Sequence, residues 1–186
     1  MRKTILLLIT ILVQATAYAS SAFEDISNYR QYSKAFASSG QPSAAQLKRL
    51  SKSGVERVIY LAFTDDDSAI DHEDSIVKKL GMDYIHIPVD FMKPTLNDFQ
   101  TFVQVMQHAP KKNTLVHCQV NFRASTFSML YRTIFLGIPL GHAKEPFDSV
   151  WEPSPQWYQF IESVFRYYKV NMVCESCDWG ANEFDE

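Results

Sequence analysis

From Gly40 onward the chain alternates short apolar runs with longer segments of helical period, and that alternation leaves few architectures open. Val55 to Leu61, Tyr84 to Val89 and Thr114 to His117 each read as a strand. Between them lie helix signals. Ser43 and Gln46 form a capping box, and Leu47 and Leu50 continue an apolar face until Gly54 stops it. Ile76, Val77 and Leu80 carry a second helix to Gly81, and Thr95 with Asp98 opens a third through Phe99, Phe102, Val103 and Met106. Phe127, Leu130, Tyr131, Ile134 and Phe135 share one face of a fourth. Ser154-Pro155 starts the last, lined by Trp157, Phe160, Ile161, Val164 and Phe165. Strands joined through helices pair in parallel, so the predicted class is α/β, a central, mainly parallel sheet flanked by helices.

The ends divide the chain further. Arg2 and Lys3 precede an apolar run from Ile5 to Val13, followed by Ala17-Tyr18-Ala19, the order of a cleavable secretory signal. The run is well short of the roughly 20 residues a membrane span needs. The reading is a signal peptide over 1–19, an irregular lead-in over 20–38, a folded domain over 39–170 and an acidic tail over 171–186. Residues 137–153, with Gly137, Pro139, Gly141, Pro146 and Pro153, read as a long connection. The expected location is periplasmic or secreted, with no membrane span after cleavage. A net charge of −3 over 186 residues excludes nucleic acid as the main partner, because that needs a basic face.

Three cysteines sharpen the reading. In an oxidising compartment Cys174 and Cys177 are close enough in sequence to pair, which leaves Cys118 alone. Cys118 follows a buried strand; Gln119, Val120, Asn121 and Phe122 make a turn, and Arg123 opens a helix. In open α/β sheets ligands bind at the carboxyl ends of strands. Free amides and the dipole at a helix N-terminus favour an anion and lower a thiol pKa. A guanidinium there can grip two oxygens of a phosphate. A buried, inert cysteine is the bland alternative, and the order strand, cysteine, turn, arginine, helix argues against it.

The segment from His117 through Cys118 and Arg123 to Ser125 resembles the phosphate-binding loop of cysteine-dependent protein tyrosine and dual-specificity phosphatases. The resemblance spans roughly residues 39–136, including Ser39 to Ser43, Val58 to Leu61 and His86 to Asp90. It is nearest to the bacterial phosphatase-like domain of beta-lactamase-hydrolase-like proteins. It implies a phosphatase fold with Cys118 as nucleophile, Arg123 gripping phosphate and Asp90 as general acid. It further implies that His117, Gln119, Val120, Asn121, Phe122, Ala124 and Ser125 surround the substrate, with no metal and no cofactor. The substrate would be a phosphorylated protein, phosphotyrosine among the options, or a small phosphomonoester, cleaved through a phosphocysteine.

This chain departs from the pattern in three places. Four residues separate Cys118 from Arg123, one fewer than in most of the superfamily, an interval shared with the short-loop branch of beta-lactamase-hydrolase-like proteins and with rhodanese sulfurtransferases. Asn121 stands where the short-loop branch has it, in place of the usual glycine, and asparagine tolerates a positive φ. Ala124 takes the position of the usual hydroxyl residue, and Ser125 follows one step later. Slow turnover, a sulfurtransferase and a non-catalytic binder of phosphorylated or other anionic ligands are the alternatives these departures raise. Asp98 is a second acid by composition and a helix cap by position. His117 reads as a packed support for the loop. Asp65, Asp66, Asp67, Asp71, His72, Glu73 and Asp74 read as a solvated acidic loop without the spacing of a calcium site; beside the phosphate loop it would repel anions or select substrates with a cationic portion.

Overall fold

The structure, a computed structural model, describes residues 23–175 and 177–180. The expected signal peptide and residues 181–186 of the tail lie outside the described residues. Among the described residues no helix is long and apolar enough to cross a membrane.

Among the described residues, five strands and six helices follow in the order β1 (Arg30–Ser33), β2 (Phe36–Ser39), α1 (Ala44–Lys52), β3 (Arg57–Tyr60), α2 (Glu73–Lys79), β4 (Asp83–His86), α3 (Leu96–His108), β5 (Thr114–His117), α4 (Phe122–Leu136), α5 (Leu140–Asp148) and α6 (Pro155–Tyr168). The sheet order is β1-β2-β5-β3-β4. β2, β5, β3 and β4 run parallel, and β1 is an antiparallel edge on β2. The expected α/β class, with its mainly parallel sheet, is what forms.

Both faces of the sheet are covered, so apolar side chains of the inner strands are buried on either side. Ala37, Val58 and Leu115 point to a core shared with Leu47 and Leu50 of α1, Val77 of α2, and Phe23 and Ile26. Phe36, Ile59 and Val116 point to a larger core with Phe102 of α3, Phe127 of α4 and Phe165 of α6. The capping boxes at Ser43 and Thr95 form, with Gln46 and Asp98 returning the bond to the cap amides. That occupies the Asp98 carboxylate.

Two segments differ from expectation. Residues 20–38, read as an irregular lead-in, contain β1 and all but the last residue of β2. Their sequence is too polar to announce strands; the sheet edge of β5, about 78 residues further on, supplies the pairing from Phe36↔Thr114 to Ser39↔His117. Residues 137–153, read as a connection, fold α5 around Pro146. A proline in that place leaves the His142 carbonyl without its helical donor. Arg132 of α4 supplies one, with Nη2 3.4 Å from that carbonyl and Nη1 3.0 Å from the carbonyl of Ala143. Leu140, Ala143 and Phe147 then bury against the larger core.

Register decides where the loops meet. Ser39 pairs with His117, His117 with Tyr60, and Tyr60 with His86. Four parallel strands therefore end level, and the segments that follow them open at one end of the sheet.

Candidate active site

Cys118 is the first residue past β5 and is a free, buried cysteine. Its amide donates to Ser39 at 3.3 Å. The turn after it is held from outside. Gln119 accepts at its carbonyl from the Gln41 amide at 2.9 Å, and Val120 accepts from Asn28 Nδ2 at 2.9 Å. Asn121 has φ 75°, in the left-handed region, and its Nδ2 donates to the Asn28 carbonyl at 2.6 Å. Gly40 packs so closely that a Cβ there would lie 2.8 Å from the Gln119 carbonyl oxygen and 2.9 Å from Ser27 Cβ. Segment 27–28 and the β2–α1 turn thus form the outer wall of the loop.

Arg123, in the first turn of α4, is 3% exposed. Its Nη1 lies 3.5 Å from Gln119 Oε1, its centre sits 5.3 Å from the Phe91 ring, and its Nη2 is 3.8 Å from Asp66 Oδ2. The buried Nε has no acceptor. Cys118, Gln119, Val120, Phe122 and Arg123 line a cavity of about 210 Å³, closed on one side by Phe91. A helix N-terminus, an unpartnered guanidinium nitrogen and a thiol on one cavity make a place where a tetrahedral oxyanion can be held against sulfur.

The other expected residues fall in different places. Asp90 is exposed in the loop after β4, and its Oδ1 accepts from the Met92 amide at 2.8 Å. The loop is anchored beside the cavity by its neighbour Phe91, which packs against Phe122, Trp151 and Trp157 and whose carbonyl accepts from Trp157 Nε1 at 2.9 Å. His117, Asn121, Ala124 and Ser125 are fully buried and stand behind the cavity rather than on its wall. Ser125 Oγ donates to the Phe122 carbonyl at 3.2 Å within the helix.

His117 stacks on Tyr60 at 4.7 Å, and its Nε2 lies 3.2 Å from Glu73 Oε1, off the line of a hydrogen bond. Glu73 is held in turn by Gln41 Nε2 at 2.9 Å. Burial pushes the Tyr60 phenol above its ordinary range, with the charges of Asp66 and Glu73 adding to the rise. The phenol therefore stays protonated and donates to the Phe63 carbonyl.

The acidic loop splits three ways rather than staying in solvent as a whole. Glu73 is buried, Asp66 turns to Arg123, and Asp74 pairs with Lys78 at 3.1 Å. Among the described residues no three carboxylates, histidines or cysteines gather as metal ligands. Cys174 and Cys177 are joined in a disulfide in the tail. Asn28 and Phe91 are the neighbours that sequence reasoning did not bring to the site, and Asp66 comes to it from the acidic loop whose favoured reading was a solvated one. Only Phe91, an aromatic directly after a loop aspartate, carried any local signal.

Fold and site together define a cysteine-based phosphatase of the protein tyrosine and dual-specificity type, a hydrolase of phosphoesters. The chain belongs to the family described as DSP-PTPase phosphatase fused to NAD+ kinase, whose model matches residues 11–138. It is similar to a DUF442 protein of Shewanella putrefaciens CN-32 named as a phosphatase, with 31% identity, 78% of this chain and 96% of that one covered, and a TM-score of 0.72. PTPMT1 in complex with PI(5)P shares the fold at 18% identity and a TM-score of 0.64, over 76% of this chain and 96% of that one. TpbA of P. aeruginosa in complex with phosphotyrosine shares it at 18% identity and a TM-score of 0.54, over 65% and 72%. No curated protein matches the chain.

Proposed function

We propose that the chain is an exported phosphatase that cleaves a phosphomonoester through a phosphocysteine on Cys118. The observation that carries this is the convergence of the Cys118 thiol, the start of α4 and the Arg123 guanidinium on one cavity of about 210 Å³. In the first step the thiolate attacks phosphorus, an S–P bond forms and the P–O bond to the leaving group breaks. Arg123 and the loop amides hold the non-bridging oxygens as charge shifts among them. Asp90 gives its proton to the leaving oxygen, a role typically worth about 10²–10⁴-fold. In the second step water attacks phosphorus, the S–P bond breaks, and the thiolate and inorganic phosphate are released.

Phe91, Phe122 and Val120 form an apolar wall around the thiol, and flat aromatic leaving groups fit such a wall. Phosphotyrosine in a protein and small aryl phosphates are the substrates this reading favours. Export rests on the charge, apolar run and small-residue pattern of residues 1–19, and the Cys174–Cys177 disulfide suits an oxidising compartment.

The test is phosphate release from an aryl phosphate by the wild type, Cys118→Ser and Asp90→Asn. Cys118→Ser is expected to abolish turnover, and Asp90→Asn to slow it while sparing phosphate binding. Equal rates in wild type and Cys118→Ser would remove Cys118 from the reaction. Thiocyanate formed from thiosulfate and cyanide, with no phosphate release, would mark a sulfurtransferase instead. Ala124 in the hydroxyl position and Ser125 bonded to its own helix support a second reading, a phosphate binder with little turnover. Vanadate binding without hydrolysis of any aryl phosphate would favour it.

A further inference from the structure

One carboxylate at the site takes no part in the hydrolysis steps. Asp66, in the loop after β3, sets its Oδ2 3.8 Å from Arg123 Nη2. That oxygen is buried and receives no hydrogen bond, and 22% of the side chain is exposed. Among the described residues no other cation lies within ion-pair distance of it. The contact is too long for a hydrogen bond, so the attraction is coulombic, in a place where water screens weakly. Among the described residues this is the one carboxylate within ion-pair distance of Arg123, and it balances part of that charge.

A phosphate dianion that takes the donors of Arg123 changes that balance. Asp66 then shares its cation with a stronger anion and faces that anion across a few ångströms. The surroundings add no relief. Asp65 and Asp67 flank it in the same loop, Glu73 is committed to Gln41 and His117, and Lys78 is engaged by Asp74. A carboxylate oxygen shut off from water needs a positive partner or a proton. A substrate can bring the first with it.

We infer that Asp66 is a specificity-determining residue of this site: it selects phosphomonoesters that carry a cationic group beside the phosphate and disfavours bare phosphate. A phosphorylated peptide with an adjacent lysine or arginine has that chemistry. The inference rests on the proposal that the Cys118–Arg123 cavity is the phosphate site. It separates substrates by charge at a point the reacting atoms do not touch, so Asp66→Asn acts on binding while Cys118 keeps its chemistry.

The test uses the full chain. Calorimetry measures inorganic phosphate binding to the wild type, Asp66→Asn and Asp66→Ser. Steady-state assays then compare two phosphotyrosyl peptides that differ only in flanking lysine or glutamate. Loss of the carboxylate is expected to tighten inorganic phosphate about tenfold. The wild type is expected to favour the lysine peptide in kcat/KM by about tenfold, and both variants to bring the ratio near one. Unchanged or weaker phosphate binding in both variants, or a peptide preference that survives the substitutions, would overturn the inference. No phosphate binding by the wild type or by either variant would instead remove the phosphate site beneath it.

Discussion

Asn121 is where the loop concentrates its conformational demand, and replacing it by alanine and by glycine separates two contributions. The residue has φ 75° and ψ 1°, a conformation that costs an ordinary side chain roughly 1–2 kcal/mol and glycine nothing comparable. Its Nδ2 also donates to the Asn28 carbonyl at 2.6 Å, a bond worth about 1 kcal/mol. Its Oδ1 is buried with no donor, so removing the amide also relieves a penalty of similar size. Asn121→Gly then loses one term and regains the other, leaving about 1 kcal/mol or less. Asn121→Ala adds the left-handed strain and is expected to cost about 1–3 kcal/mol, or roughly 2–12 °C in Tm for a chain of this size. Urea unfolding gives the first number. Tungstate binding by calorimetry gives the functional one, because strain at Asn121 is relieved by turning the loop that Cys118 opens. Asn121→Gly should bind within a few-fold of wild type and Asn121→Ala at least tenfold more weakly. Equal stability and equal tungstate affinity in the two variants would refute the argument that a positive φ shapes this loop.

Gly40→Ala places a Cβ 2.8 Å from the Gln119 carbonyl oxygen, a backbone atom that cannot swing aside, and is expected to weaken tungstate binding measured by calorimetry. Trp157→Phe removes the donor to the Phe91 carbonyl and some buried volume. It should cost about 2 kcal/mol in urea unfolding and lower kcat on an aryl phosphate more than it weakens phosphate binding. Arg49 donates to Asp25 and, with Gln46, holds its carboxyl down at about 2, against an ordinary value of 3.8. The folded value is the lower one, so this contribution is complete above about pH 4 and fades as pH falls toward 2. Asp25→Asn should flatten the stability profile in that window, read by thermal melts across pH.

The placement of Cys118 and Arg123 was legible in sequence because it is local. A strand from Thr114 to His117, a cysteine, a turn and an arginine opening a helix are consecutive, and hydrophobic period and turn chemistry mark each of them. The α/β class was legible for the same reason, since strands with helices between them must pair in parallel. β1, β2 and α5 were not. The polar strands exist because β5 and then β2 offer them a partner, and α5 tolerates Pro146 because Arg132, ten residues before His142, serves that carbonyl and the next. Local pattern carries no trace of partners that arrive from elsewhere.

The same division runs through the site. By itself the sequence determined that a thiol and a guanidinium would stand at a helix N-terminus past a buried strand, because neighbours in the chain cannot be far apart in space. Only tertiary structure decided what surrounds them: Asn28 and Gly40 outside the loop, Phe91 closing the cavity, Asp66 against Arg123. Those residues lie between 27 and 92 positions from their partners. They meet because β2, β3, β4 and β5 end in register, and sheet register follows from packing across both faces rather than from any one segment.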